Sequence, residues 1–195
     1  MGKTLFIFII FSLSENIYLM DPAVVALLNY EDDPEMIFYG LDLKQFSFFL
    51  IPINDNSDKM NANGGSHWSL LVYLPIEDIF IYLDSMKKKS NNIENAINIA
   101  GKLRGLIKED QKKDLKESFV VNSETPQQKN GYDCGVYVLG FTEVLIEFLQ
   151  KKENILNNKR MKEIVQEEYI ASLRVKIREL LESMIKEKNN HCLIF

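Results

Sequence analysis

One cysteine and one histidine, each at the expected end of a secondary-structure element, are the residues of this chain best placed for chemistry. Outside the last five residues, His67 is the only histidine and Cys134 the only cysteine of the 195-residue sequence. His67 follows a glycine-containing loop and opens a predicted strand, whereas Cys134 opens a predicted helix. A nearby imidazole and a helix N-terminus both favour a thiolate. The two residues therefore predict nucleophilic catalysis by Cys134 with His67 as its base.

Two further polar residues extend this group. Asp84 ends the predicted strand that pairs with the strand opened by His67, so its carboxylate could hold the imidazole in one tautomer. Gln128 precedes Cys134 by six residues, and its amide could form an oxyanion hole together with the Cys134 backbone N–H. Asp133 acts in the opposite direction, because a carboxylate next to a thiolate raises the pKa of the thiol. An imidazolium at His67 would outweigh that effect.

Each of these residues taken alone also has a structural interpretation. A single cysteine is more often a small buried hydrophobe, and a single histidine, aspartate or glutamine is more often a loop or surface residue. The four residues in one order favour the catalytic interpretation over the structural one.

The elements that must position these residues follow from turn residues and hydrophobic periodicity. Asp21 and Pro22 predict a helix start, and a helical turn is predicted around residues 34–39. Aromatic and β-branched residues predict strands at 46–53, 67–74, 79–84 and 118–122, the second and third of which form a hairpin. Helical periodicity predicts helices over 91–107, from Cys134 onward, and over 161–188. Strands in the middle and helices at the ends indicate one α+β domain with a mainly antiparallel sheet.

The predicted helices carry their apolar residues on one face. In the first the face consists of Ile93, Ala96, Ile97, Ala100 and Leu103, and in the second of Tyr137, Phe141, Val144, Leu145 and Phe148. In the last helix it consists of Ile170, Leu173, Ile177, Leu180, Leu181 and Met184. We expect these faces to pack on the sheet or on each other.

The composition argues against several classes of protein. A net charge of −5 and a pI near 5.2 disfavour nucleic-acid binding, which depends on clustered Lys and Arg. Two cysteines and two histidines are too few for a disulfide framework or a typical zinc site. We therefore expect no cofactor, no nucleic-acid partner, and a reducing location in the cytoplasm or nucleus.

Both ends of the chain carry separate signals. Residues 1–16 form an atypical apolar segment, whose run from Leu5 to Leu13 resembles a signal-peptide core but lacks a small-residue cleavage site. We expect a buried first element or an atypical start there, followed by a domain over 17–188 and a tail over 189–195. The final residues "CLIF" fit a prenylation box at Cys192, the only feature that predicts contact with a membrane.

Three segments of the chain resemble the Ulp-type (sentrin/SUMO-specific) cysteine proteases. "GGSHWSLLVYL", "FIYLDS" and "QQKNGYDCGVYVLG" are similar, in the same order, to that family's His-Trp, Asp-Ser and Gln-x-Asn-Gly-x-Asp-Cys-Gly segments. The preceding "PINDNS" is more similar to the deneddylase branch than to the SUMO-cleaving members. The resemblance extends from about Ile17 to Lys186.

The resemblance implies a papain-like cysteine-protease fold and cleavage after the C-terminal Gly-Gly of a ubiquitin-like modifier, the neddylation modifier in this branch. It implies that Cys134 is the nucleophile, His67 the general base and acid, and Asp84 the orienting carboxylate, with Gln128 as oxyanion donor. Trp68 would wall the passage that admits Gly-Gly, although a core position on a strand fits it equally well. The implied partners are the modifier and its protein conjugates.

Other functions stay open at the level of sequence. The family normally begins with a further segment containing a Trp-Leu-Asn-Asp-like motif, whereas Trp68 is the only tryptophan here and the apolar run stands in that place. A catalytically impaired module that binds the modifier without a complete clamp is therefore one alternative, and a SUMO-specific protease is another. A more distant alternative is an acyltransferase, since some cysteine transferases share the order His, acid, Cys.

Overall fold

The computed structural model describes residues 16–56, 58, 61, 64–86, 92–108, 114–155 and 158–191. The apolar run at 5–13 and the prenylation box at Cys192 lie outside these residues. Within the described ranges, no helix combines the length and the apolar character that a membrane crossing requires.

A five-stranded sheet in sequential order forms the centre of the fold. Its strands are β1 (Ile17–Leu19), β2 (Phe48–Asn54), β3 (Trp68–Leu74), β4 (Ile79–Leu83) and β5 (Phe119–Val121). The central pairings of β3 with β2 and β4 are antiparallel, and the short edge pairings of β1 with β2 and of β4 with β5 are parallel. The predicted antiparallel sheet is thus confirmed at its centre. The edges are parallel because helical segments connect β1 to β2 and β4 to β5.

Six α-helices are present in the described residues. They are α1 (Pro22–Tyr30), α2 (Asn92–Ile107), α3 (Leu115–Ser118), α4 (Cys134–Gln150), α5 (Asn158–Ile164) and α6 (Glu167–His191). The predicted start of α1 is confirmed, since the Asp21 carboxylate accepts a hydrogen bond of 2.7 Å from the Ala23 N–H. Two 3-10 turns, Pro34–Phe38 and Leu43–Gln45, connect α1 to β2. The single helix predicted over 161–188 is two helices, which are separated at Val165 and Gln166.

The central strands are buried on both faces, so the sheet separates two apolar cores. In β3, Leu70 and Val72 belong to the core formed with α4, α5 and α6. The alternate residues Leu71 and Tyr73 belong to the core formed with α1 and α2. Successive strand residues point to opposite faces. The expected α+β fold with helices flanking a central sheet is therefore confirmed.

The predicted apolar faces are buried only in part. All five predicted residues of α4 are buried, whereas in α2 Ile97 is exposed and Ile99 is buried. In α6, Ile170 and Leu173 are buried, but Leu181 and Met184 are exposed. The prediction for the later turns of α6 is thus wrong, because α6 packs against α4 through its first turns.

Candidate active site

His67 and Asp84 form a buried, ion-paired hydrogen bond at one end of the β3–β4 hairpin. The distance from Nε2 of His67 to Oδ1 of Asp84 is 2.7 Å. His67 directly precedes β3 and Asp84 directly follows β4, so the antiparallel pairing brings them to the same end of the hairpin. The Asp84 carboxylate also accepts hydrogen bonds from Tyr82 Oη at 2.9 Å and from the Met86 N–H at 2.8 Å. Its orientation is therefore fixed by three donors.

The pairing shifts the pKa values of both groups toward their charged forms. Burial by itself lowers the pKa of His67, but hydrogen bonds and charge interactions with Asp84 and Cys134 raise it to about 9. Burial by itself raises the pKa of Asp84, but the bonds from His67, Met86 and Tyr82 leave it below its usual value. At neutral pH the pair is therefore an imidazolium and a carboxylate.

Cys134 opens α4, where its buried free thiol interacts with His67. Burial raises the pKa of this thiol, but the imidazole of His67 and the backbone N–H groups of Trp68 and Gly135 lower it overall. Nε2 of His67 is bonded to Asp84, and the buried Nδ1 has no hydrogen bond of standard geometry within the described residues. Nδ1 is thus the ring nitrogen available to the thiol. The geometry favours a thiolate–imidazolium pair.

Gln128 lies in the loop before α4, with its side-chain amide held at both ends. Ser85 Oγ donates to Gln128 Oε1 at 2.7 Å, and Gln128 Nε2 donates to the Asn130 carbonyl at 2.7 Å. The backbone N–H of Gln128 donates to the Ser85 carbonyl at 2.9 Å. These bonds tie the loop before Cys134 to the residue that follows Asp84. The contact with Asn130 uses one of the two hydrogens on the amide nitrogen.

Trp68, the first residue of β3, lies between an apolar cleft and the start of α4. Its half-buried side chain lines a cleft of ≈ 470 Å³ together with residues of α1 and of the loop between β2 and β3. Its Cδ1 atom lies 3.9 Å from the point that a Cβ at Gly135 would occupy. The core position considered from sequence is therefore incomplete, since the indole packs against the core but also borders this cleft.

Asp55, which was not predicted from the sequence, holds the backbone at His67. Asp55 Oδ1 accepts hydrogen bonds from the N–H groups of Ser66 at 2.6 Å and His67 at 2.9 Å, and Oδ2 accepts one from Ser66 Oγ at 2.9 Å. Gly65 has a φ of +88°, and a Cβ there would lie 2.0 Å from Asn54 Oδ1. The closely spaced Asn, Asp and Gly residues before His67 were the available signal for such a folded loop.

Arg174 of α6, which was not predicted from the sequence either, forms an ion pair with Asp133. Asp133 was expected to oppose the thiolate, and the structure engages its carboxylate with Arg174 and with Asn130. Within the described residues, no group of three or more His, Cys, Asp or Glu side chains could hold a metal ion.

Comparison with known proteins places this geometry in a family. The Ulp1 protease family, C-terminal catalytic domain, matches residues 35–192. The chain is 34% identical over 182 residues to the probable sentrin-specific protease 8 of Dictyostelium discoideum, covering 88% of this chain and 72% of that protein. It is 32% identical over 179 residues to human sentrin-specific protease 8, covering 89% and 78%. It is 30% identical over 181 residues to NEDD8-specific protease 1 of Arabidopsis thaliana, covering 89% and 76%.

Solved structures share the fold at lower sequence identity. The SUMO protease Ulp1, with its catalytic cysteine oxidized to a sulfenic acid, has a TM-score of 0.57 at 18% identity, covering 93% of this chain and 76% of that one. The Xanthomonas campestris effector protein XopD, bound to ubiquitin, has a TM-score of 0.54 at 23% identity, covering 77% and 73%. The predicted family and enzyme class are confirmed: the chain belongs to the Ulp1 protease family and is a cysteine protease.

Proposed function

We propose that this chain is a deneddylase, which cleaves after the C-terminal Gly-Gly of the ubiquitin-like modifier NEDD8. It would release NEDD8 from target lysines as an isopeptidase and mature the NEDD8 precursor as an endopeptidase. The observation that carries the chemistry is the buried 2.7 Å bond between His67 and Asp84, directly beside the Cys134 thiol. The choice of modifier is supported by the names of the relatives, sentrin-specific protease 8 and NEDD8-specific protease 1.

Acylation begins with the thiolate of Cys134. Its sulfur attacks the carbonyl carbon of the last glycine, while the imidazolium of His67 keeps the proton that the thiol has given up. Asp84 holds the ring through Nε2 and stabilises its positive charge. When the tetrahedral intermediate collapses, Nδ1 of His67 gives its proton to the departing amine. A thioester between Cys134 and the modifier is formed.

The oxyanion of the intermediate needs donors at the start of α4. The backbone N–H of Cys134 is one candidate, because the first N–H groups of a helix have no partner within the helix. The second hydrogen on the amide nitrogen of Gln128 is the other candidate. Its bonds to Ser85 and Asn130 fix this amide before substrate arrives, as a preorganised donor requires.

Deacylation repeats the chemistry with water in place of the amine. Neutral His67 takes a proton from water, the hydroxide attacks the thioester carbonyl, and the Cys134 thiolate leaves with the C–S bond electrons. The free modifier departs with its C-terminal carboxylate. Both half-reactions use the same base and the same oxyanion donors, so no further catalytic group is required.

Trp68 supplies the selection for glycine in this proposal. An indole beside Cys134 leaves room for a backbone without side chains and excludes bulkier residues. The proposed partners are NEDD8 and its protein conjugates, and the proposed location is the cytoplasm or nucleus. A binding module without catalysis is less well supported, since it would not need a cationic His67 next to the thiol.

Hydrolysis of modifiers carrying a C-terminal aminocoumarin amide tests the proposal. We expect the purified chain to release coumarin from the NEDD8 derivative much faster than from the SUMO or ubiquitin derivatives. Cys134→Ala and His67→Ala should abolish turnover, because they remove the nucleophile and its base. Cys192→Ala is the matched control for the loss of a cysteine and should leave turnover unchanged. Turnover by Cys134→Ala would refute the assigned nucleophile, and a preference for SUMO would refute the assigned modifier.

A NEDD8 derivative with a C-terminal electrophile separates the enzyme from a binding module. An adduct on Cys134, detected by intact mass, is expected only if the thiol is activated and the modifier tail reaches it. Tight NEDD8 binding by a folded chain that forms no adduct would favour the binding module.

A further inference from the structure

Helix α6 contacts the loop that precedes Cys134 at two places. Lys129 Nζ lies 2.6 Å from Glu167 Oε1, and the Arg174 guanidinium forms an ion pair with the Asp133 carboxylate. Glu167 and Arg174 are seven residues apart and therefore lie on one face of α6. The Lys129 and Glu167 side chains are 81% and 52% exposed, whereas the Asp133 side chain is only 12% exposed. The ion pair between Arg174 and Asp133 is therefore less screened by water, and it contributes more to this contact than the pair between Lys129 and Glu167.

Asp133 belongs to a cluster that Arg174 completes. Asn130 Nδ2 donates to Asp133 Oδ2 at 2.6 Å, and Asn130 Oδ1 accepts from the N–H groups of Tyr132 at 3.1 Å and Asp133 at 3.0 Å. The guanidinium carbon of Arg174 lies 5.3 Å from the centroid of the Tyr132 ring, a distance at which a cation interacts with a ring face. One arginine thus contacts both residues that immediately precede Cys134.

The first turns of α6 are themselves held against α4. A Cβ at Gly140 would lie 3.2 Å from Ile170 Cδ1 and 3.2 Å from Tyr169 Cε1, so the absence of a side chain permits this close approach. Tyr169 Oη donates to Glu143 Oε2 at 2.6 Å. Arg174 therefore extends from a helix whose position relative to α4 is fixed by packing.

We propose that Arg174 is a positioning residue of the catalytic site, which fixes the backbone before Cys134 and neutralises the carboxylate of Asp133, the residue that precedes the nucleophile. The proposal rests on the proposed function, in which Cys134 is the nucleophile. Without Arg174, a negative charge on the adjacent residue would oppose the thiolate. Arginine suits this task because it stays charged and can bind a carboxylate and stack on an aromatic ring. The other ionisable groups around the loop are His67, Lys129, Tyr132, Tyr137, Glu167 and Glu168.

The pH dependence of Cys134 alkylation tests this role without requiring turnover. All variants are made in a Cys192→Ser background, so that iodoacetamide reacts with Cys134 alone. The set comprises Arg174→Ala, Arg174→Lys, Asp133→Asn and the double variant Asp133→Asn with Arg174→Ala. Arg178→Ala is the matched control, since it removes an exposed arginine one turn further along the same helix. Thermal unfolding confirms that each variant is folded.

We expect Arg174→Ala to shift the alkylation midpoint to higher pH and to lower kcat/KM roughly fivefold, the size of one partly exposed ion pair. Arg174→Lys should give a smaller shift, because the charge stays and the planar fork is lost. The double variant should return the midpoint toward that of the unmodified chain, since the uncompensated carboxylate is gone. Arg178→Ala should change neither quantity.

An unchanged midpoint in folded Arg174→Ala would overturn the proposal. A shift in the alkylation midpoint that the double variant does not reverse would also overturn the proposal. Such a shift would come from the loss of a structural contact and not from the uncompensated charge of Asp133. Failure of the proposed function looks different: the unmodified chain would then show an ordinary thiol midpoint or would hydrolyse no NEDD8 derivative.

Discussion

His67, Asp84 and Cys134 are each buried, and burial alone disfavours the charged form of every one of them. Their mutual contacts reverse this effect, so that Asp84 and Cys134 have lowered pKa values and His67 has a raised one. The three charges are therefore stable only as a group. Loss of one member leaves another charge buried without its partner, which is more harmful than the loss of one contact.

The pH dependence of turnover follows from these shifts. As the pH falls through the lowered pKa of Cys134, the thiolate is protonated and kcat/KM decreases. As the pH rises through about 9, His67 loses its proton and the leaving amine has no acid, so kcat/KM decreases again. We expect a bell-shaped profile when hydrolysis of the NEDD8 coumarin derivative is measured from about pH 5 to about pH 10.

Asp84→Asn provides the matched variant for this profile. The neutral amide keeps the size of the side chain but removes the charge that raises the pKa of His67. The upper limb should move to lower pH, and the maximal rate should fall. An upper limb that stays in place would contradict the role of Asp84.

Residue chemistry could be predicted from sequence where it depends on residue type and local order. Cys134, His67 and Asp84 were expected together, and the structure brings them together. Asp55 and Arg174 could not be predicted, because their contacts depend on how a loop closes and on how closely α6 packs against α4. The sequence contains 28 Asp and Glu residues and 23 Lys and Arg residues, so residue type alone does not identify these two.

Helices and strands with a clear hydrophobic periodicity were predicted best. The strands β2, β3 and β4 and the helices α1, α2 and α4 occur close to where the sequence placed them. The break between α5 and α6 was missed, because residues on both sides of it continue the helical pattern. The buried Val165 and the adjacent Gln166 interrupt the helix there without a proline or glycine to mark the place.

The contact between α4 and α6 predicts different effects for two helical glycines. Gly140→Val should destabilise the fold by about 1–3 kcal/mol, because the added methyl groups overlap Ile170 and Tyr169. Gly101→Val is the matched control in α2, where the nearest atom to a new Cβ is Leu115 Cδ2 at 3.6 Å. It should change the unfolding free energy by less than about 0.5 kcal/mol. Urea unfolding measures the free energy of unfolding of both variants. Equal losses of stability in the two variants would show that the contact between α4 and α6 does not account for the effect at Gly140.

At the scale of the whole molecule, the two apolar cores share the same strands. Leu70 and Leu71 are neighbours in β3 but belong to opposite cores, so neither core can unfold while the sheet stays intact. The catalytic group depends on the shared sheet and on the core that contains α4, because His67 and Asp84 flank the hairpin and Cys134 lies on α4. The site and the fold should therefore be lost together.

A single cooperative unfolding transition is the expected result. Trp68 is the only tryptophan in the sequence and borders the active site, so its fluorescence reports on the site specifically. Its urea transition should coincide with the loss of helix and sheet measured by far-UV circular dichroism. Loss of coumarin release should follow the same curve. A fluorescence change that precedes the loss of secondary structure would indicate a site that opens independently.

The chain order of the catalytic group also has a consequence during synthesis. Ribosomes deliver His67 first and Cys134 67 positions later, with Arg174 later still. At ordinary elongation rates, roughly 3 to 13 seconds pass between the first two residues. A nascent chain therefore carries the base, and then the acid, before it carries the nucleophile. Proteolytic competence arises only after Cys134 and the elements that enclose its thiol have been synthesised.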